Sequence, residues 1–308
     1  MSIPRDHHYL PQFYLERWAS GGEVVRYVRP RGAAHPVDCR RKPPSAIAYE
    51  RDLYRLADVD DARDSQALEL TLFQLIDDRA AKAIQKIENG EQGTGQDRVA
   101  LSQFMVSLLH RSPARLAAIR EELAKQIDGA PYADLEGEEY RNVLKATANR
   151  LLARLVESAD AASIVSKFKT FKIDVSGSSK KLMTSDRPIT LSALLVSPDA
   201  FMVMPYAPHR LLILAHREEI VRSFSTQDPD VLVNGINRAV VEQSVDVVIA
   251  ADTHAKRMVE NLFLRPQPDH ELDSIGLIRR KAPFIDTRPK VRAPHSRKRR
   301  SDMLYLGR

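Results

Sequence analysis

The sequence predicts an α+β fold in which a helical middle segment packs on a mostly antiparallel sheet from the C-terminal half. Three observations carry this expectation. Between Ser65 and Glu157, apolar residues recur at the 3.6-residue period of a helix. From about Phe168 the period drops to two, with Phe171, Ile173 and Val175 alternating with Lys172 and Asp174. Hydrophobic residues make up 43% and charged residues 29% of the 308, enough for a sizeable core and incompatible with global disorder.

The elements follow in order. A short helix is predicted after Pro11, where Phe13, Tyr14, Leu15 and Trp18 give a broad apolar face. A strand over Glu23 to Val28 ends at Pro30 and Gly32. Pro36 to Pro44 reads as irregular and locally basic, and Asp52 to Ala57 as a short strand. The helix predicted over Ser65 to Asn89 carries its stripe at Leu68, Leu72, Leu75, Ile76, Ala80, Ala83, Ile84 and Ile87, and Asn89-Gly90 closes it. Gln96 to His110 is a second, more apolar helix. Ser112-Pro113 supplies an N-cap and a proline at N1 for a third, which runs to about Gln126. Further helices are expected over Glu138 to Glu157 and Ala161 to Lys167. Lys181 to Thr184 reads as the hairpin partner of the strand before it, and Phe201 to Met204 and Arg210 to Ala215 as further strands. Asp228 caps a helix to Ser244 with Pro229 at N1. Val245 to Ala250 is a β-branched strand, and Thr253 to Leu264 a last helix.

A chain of this length allows about two domains. The expectation here is one compact α+β domain over residues 1–264, helical over about 65–167 and strand-rich over about 168–264, followed by a largely mobile, basic, Pro-containing tail over 265–308. The net charge of +6 belongs to that tail. Arg265 to Arg308 hold 12 Lys+Arg against 5 Asp+Glu, whereas the residues before them hold 35 against 36. A basic face on the folded domain is therefore not implied. Cys39 is the single cysteine, so an intramolecular disulfide and thiolate metal clusters are excluded. No targeting segment and no apolar run of the roughly 20 residues that span a bilayer is visible, and the expectation is a cytoplasmic protein without membrane contact.

Four motifs stand out in chain order. His7-His8-Tyr9-Leu10-Pro11-Gln12-Phe13-Tyr14-Leu15 opens the chain. Arg111-Ser112-Pro113 with Arg115 lies at a helix junction. Met183-Thr184-Ser185-Asp186-Arg187-Pro188 follows a strand, and Val233-Asn234-Gly235-Ile236-Asn237 lies on a late helix. In this order and spacing, across roughly Arg5 to Leu264, they resemble the bacterial domain-of-unknown-function 4238 family. Where many members carry Asn in the third motif, this chain carries Arg187. The resemblance implies a fold and a site but no reaction.

The residues themselves leave several readings open. His7 and His8 are adjacent, so in an extended segment they point to opposite faces and do not bind one metal together. One serves as a base or ligand, or both satisfy buried polar groups; Gln12 adds an amide nearby. Thr184, Ser185 and Asp186 offer oxygens at a strand end. There Asp186 orients a histidine, binds a divalent metal or acts as a base, or else Ser185 and Asp186 close a turn on their own backbone. Asn234 and Asn237 share a helix face at i and i+3 and line a polar site or bridge to a neighbouring loop. Arg111 clamps a phosphate or carboxylate, or pairs with Asp77, Asp78 or Glu121. Arg297, Lys298, Arg299 and Arg300 form a basic cluster that contacts nucleic acid or merely solubilises the tail.

No P-loop, GxGxxG, HExxH, GxSxG or CxxC motif is present. The first functional expectation is metal-dependent phosphodiester hydrolysis on nucleic acid, with His7, His8 and Asp186 catalytic. Gln12, Arg111, Thr184, Ser185, Asn234 and Asn237 would bind substrate. The alternative is a non-catalytic module that binds a ligand or nucleic acid, with the N-terminal motif playing a structural role.

Overall fold

The computed structural model describes residues 5–30, 36–127, 137–157, 165, 167–192 and 197–263. The expected helix over Ala161 to Lys167 falls mostly outside these residues, and the tail with Arg297, Lys298, Arg299 and Arg300 falls wholly outside them.

The elements in chain order are β1 (Asp6–His8), α1 (Gln12–Leu15), β2 (Val24–Val28), β3 (Asp38–Lys42) and β4 (Tyr49–Arg51). The helical segment follows as α2 (Gln74–Glu88), α3 (Gly95–His110), α4 (Pro113–Ile127) and α5 (Gly137–Glu157). Then come β5 (Lys169–Asp174), β6 (Thr184–Ser185), β7 (Thr190–Leu191), β8 (Phe201–Ala207) and β9 (Arg210–Ala215). The last are α6 (Glu218–Ser225), α7 (Pro229–Gln243), β10 (Val247–Ala250) and α8 (Lys256–Phe263). Helices and antiparallel sheets together make the class α+β, as the periodicity predicts.

Among the described residues three sheets carry the strands, β1-β4, β3-β2-β10-β6 and β5-β9-β8-β7, with every pairing antiparallel. The alternation along β8 and β9 explains the layering. Met202, Met204, Leu212 and Leu214 share one cluster with Tyr14, Trp18 and Phe104. Phe201, Val203, Leu211 and Ile213 share the other with Phe224, Ile236 and Val240. Helices therefore cover both faces of this sheet, which is why β8 is buried from Phe201 to Tyr206 without a polar alternation.

Cap chemistry sets several helix ends. The Asp228 carboxylate accepts from the N–H groups of Asp230 and Val231, with Pro229 in the first turn of α7. Thr94 and Asp97 form a capping box at the start of α3.

Four local expectations need correction. Lys181 to Thr184 is not the hairpin partner of β5. That partner is β9, in register from Lys169 opposite Ala215 to Asp174 opposite Arg210. Donors in the 181–184 segment are taken elsewhere: Leu182 N–H bonds Pro208 O at 2.8 Å, and Met183 N–H bonds the Asn237 side chain at 2.8 Å. Thr184 and Ser185 then pair with β10. Asp38 to Lys42, expected as irregular, is an edge strand with Arg40 and Arg41 exposed. The strand expected over Asp52 to Ala57 lies earlier, at β4, because the left-handed φ of +55° at Asp52 ends it. Finally, the helix from Ser65 begins with a 3-10 turn and a π-helical stretch over Leu68–Phe73 before α2. The wider turn buries Phe73 and leaves Leu75 46% exposed.

Candidate functional site

Pairing of β1 with β4 sets the two histidines on opposite sides. His7 is fully buried: its Nδ1 accepts from Tyr54 N–H at 3.0 Å, and its ring stacks on Tyr54 with centroids 5.6 Å apart. His8 is half-buried against Tyr49, with its Nε2 3.5 Å from Gln12 Nε2. Burial lowers the His8 pKa.

The rest of the N-terminal motif is stitched to the third motif. Tyr14 Oη donates to Pro205 O at 2.6 Å and lies 2.7 Å from Thr184 Oγ1. The Tyr14 proton is already used, so the Thr184 hydroxyl is the donor between them. Trp18 Nε1 donates to Leu182 O at 3.1 Å. On α7, Asn237 is buried. Its Oδ1 accepts from Met183 N–H and its Nδ2 donates to Lys181 O, both at 2.8 Å. Asn234 accepts from Lys180 Nζ at 2.9 Å. Thr184 and Asn237 thus fix the 181–185 segment from two sides. His7 and His8 lie at the other end of the motif and form no hydrogen bond with Asp186.

Asp186 pins the junction between α7 and β10. Its carboxylate accepts from Val245 N–H at 3.0 Å and Asp246 N–H at 2.7 Å, while its own N–H bonds Val247 O. Burial pushes the carboxyl up to about 6 against those bonds. Arg29 holds the same junction from the carbonyl side, donating to Val245 O at 2.8 Å and Ser244 O at 3.2 Å. Ser185 Oγ accepts from Arg187 N–H and donates to Arg187 O, closing a turn before Pro188.

Arg111 ends α3 with no exposed surface. Its Nη1 pairs with Asp77 at 2.9 Å, its Nε donates to Tyr9 O at 3.0 Å, and its guanidinium lies between the rings of Phe73 and Phe104. Glu69, on the π-helical stretch, and Asp77 are both pushed up by burial, to about 7 and about 6, with the Arg111 charge opposing the shift.

A different pair of side chains lacks such partners. A cavity of about 30 Å³ opens where α3, α4, β7 and the end of α7 meet. Arg115 and Arg187 enter it, Gln243 adds an amide, and Leu108, Leu109, Ile189 and Leu191 form the remaining wall. Arg115 is only 5% exposed, yet among the described residues its Nε has no hydrogen-bond partner, and neither has the buried Nη1 of Arg187. Burial lowers the pKa of both, and the positive charge of Arg187 lowers that of Arg115 further; Asp186 and Asp246 act in the opposite direction on Arg187. The neighbouring His110 is pushed down to about 4 by burial and by Arg115. Gln243 is already engaged, since its Nε2 donates to Arg187 O and its Oε1 faces Thr190 Oγ1 at 3.5 Å.

Arginine stays charged in proteins, so two guanidinium groups brought together in a buried wall call for an anion between them. No lining side chain is a carboxylate, histidine, hydroxyl or thiol. The arrangement can hold an anion. Among the described residues, no three His, Cys, Asp or Glu side chains are grouped to hold a metal ion. No described helix is long and apolar enough to cross a membrane. In the sequence, Arg115 and Arg187 stand out only as parts of motifs, and Gln243 does not stand out. The available signal was an arginine in each of two separate motifs.

The model of a protein family of unknown function, DUF4238, matches residues 6–254. No curated protein and no solved structure matches the chain.

Proposed function

Since the chain belongs to the DUF4238 family, whose description carries no activity, we propose its function from its own site: it is a binding protein for a small oxyanionic ligand, held between Arg115 and Arg187. The observation that carries this reading is the pair of arginines facing one cavity, each with a buried nitrogen that no group among the described residues satisfies. A buried donor left without a partner costs about 1–3 kcal/mol, more on a charged group, and an anion that bridges the two arginines recovers that energy on binding. Metal-dependent phosphodiester hydrolysis on nucleic acid keeps one supporting feature, the raised pKa of the Asp186 carboxyl. That carboxylate is occupied by backbone N–H groups, so the binding reading is preferred. In it the N-terminal motif is architectural, as Tyr14, Trp18 and His7 bond backbone or core partners.

The test is thermal unfolding of the full chain at constant ionic strength, with chloride replaced in turn by acetate, sulfate or phosphate. A ligand that binds only the folded state at 100 times its Kd adds about 2.7 kcal/mol. At least one oxyanion is expected to raise Tm above the chloride control, and Arg187→Gln to abolish the rise. Equal Tm values in all salts, or an undiminished rise in the variant, would remove this reading.

A further inference from the structure

The chemistry of the same cavity narrows the ligand, and the argument rests on the binding reading above. The first constraint is the donor set. The cavity is small, about 30 Å³, and partly open to solvent, so a head group sits between the arginines and the rest of a ligand runs out along the wall. The two oxygens of a planar carboxylate can each meet one guanidinium, whereas a phosphate would leave further oxygens against aliphatic side chains with no donor. A guanidinium fork presents its donors in the geometry that carboxylate oxygens accept. With one arginine on each side, one oxygen can be met from each.

The second constraint is the wall. Apart from the arginines it is aliphatic: Leu108 and Leu109 at the end of α3, Ile189, and Leu191 on β7. Its one amide, Gln243, is spent on the Arg187 carbonyl and Thr190. A sugar, nucleoside or hydroxy acid would bury hydroxyls with nothing to bond, and each such group costs about 1–3 kcal/mol. A hydrocarbon body has no such penalty and gains from contact with four aliphatic side chains.

We propose that the ligand is a short-chain aliphatic carboxylate, seated with its oxygens between Arg115 and Arg187 and its methylenes against Leu108, Leu109, Ile189 and Leu191. Arg187 then completes the anion site, and the aliphatic wall sets the preference among anions.

The experiment is isothermal titration of the full chain with sodium acetate, propionate and butyrate, and with inorganic phosphate, at one pH and ionic strength. Affinity should rise about threefold to fourfold per methylene from acetate to butyrate. The heat-capacity change should grow more negative along the series, and phosphate should give no binding heat. Arg187→Gln, checked for folding by circular dichroism, should lose the butyrate signal. Phosphate binding without carboxylate binding, or equal affinity for acetate and butyrate, would overturn the assignment of an aliphatic carboxylate and leave the oxyanion reading standing. If no anion binds at all, both fall. Butyrate binding that survives in Arg187→Gln would also overturn the assignment, because the ligand would then sit elsewhere.

Discussion

Tyr14 Oη lies 2.7 Å from Thr184 Oγ1, although 170 residues separate them. This contact joins the first motif to the third and explains why a run of aromatic residues near the start of the chain faces the core. Both groups are buried, and the Tyr14 proton goes to Pro205 O. Tyr14→Phe therefore strands a carbonyl and a hydroxyl together. We expect a loss of about 1–3 kcal/mol, read from urea unfolding. A change below about 0.5 kcal/mol would mean that other partners take over both groups.

Asn237 and Asn234 share a helix face but carry unequal loads. Asn237→Leu leaves Met183 N–H and Lys181 O unpaired inside the protein, and about 2–4 kcal/mol should be lost from the two groups together. Asn234→Ala removes one bond to the exposed Lys180 ammonium and should stay within about 0.5 kcal/mol. Equal effects would contradict this division of roles.

Asp186 makes stability depend on pH in an unusual direction. Its folded pKa, about 6, lies above its ordinary value of 3.8, so the folded state binds the extra proton between those two values. Stability from this group is gained as pH falls from about 6 toward 4 and is lost as pH rises through 6, with a slope of at most about 1.4 kcal/mol per pH unit. His110 works against it: its folded pKa, about 4, is below the ordinary 6.5, so its contribution fades as pH falls through that range. Comparison with Asp186→Asn isolates the carboxyl. The stability of the native chain relative to this variant should increase from pH 7 to pH 5, and a flat or falling difference would refute the assignment.

Arg115 offers a test that needs no ligand. Its guanidinium is buried beside a second positive charge, so Arg115→Met exchanges an unpaired charge for a side chain suited to the aliphatic wall. In chloride alone the variant should be as stable as the native chain or up to about 2 kcal/mol more stable. A loss above about 2 kcal/mol would assign Arg115 a structural partner instead of a ligand.

The sequence made the large elements legible wherever a local signal existed. Asp228-Pro229 marks the start of α7, and the β-branched run Val247 to Ile249 marks β10. It did not disclose elements whose identity depends on neighbours. Asp38 to Lys42 is a strand only because β2 lies beside it, and Thr184-Ser185 only because β10 does. The π-helical turn leaves no periodic signature in a stripe that reads equally well as α-helix. For the candidate site, the motifs contain Arg115 and Arg187, but the residues singled out in them are largely engaged within the fold. Tyr14, Asp186 and Asn237 are polar and consume their own hydrogen bonds, whereas Arg115 and Arg187 stand out by what they lack. A missing partner is a property of the folded arrangement, and no spacing in the chain encodes it.

Trp18 is the only tryptophan in the chain. It is fully buried, 5.0 Å from the Tyr14 ring, with its indole N–H on Leu182 O. Indole fluorescence therefore comes from one spot, the seam where α1 and the turn after it meet the segment leading into β6. Emission should be blue-shifted in the native protein and poorly quenched by acrylamide. Because no other indole dilutes the signal, any detachment of that arm ahead of global unfolding would appear as a separate red-shifted step, giving the molecule a built-in optical gauge of its own N-terminal docking.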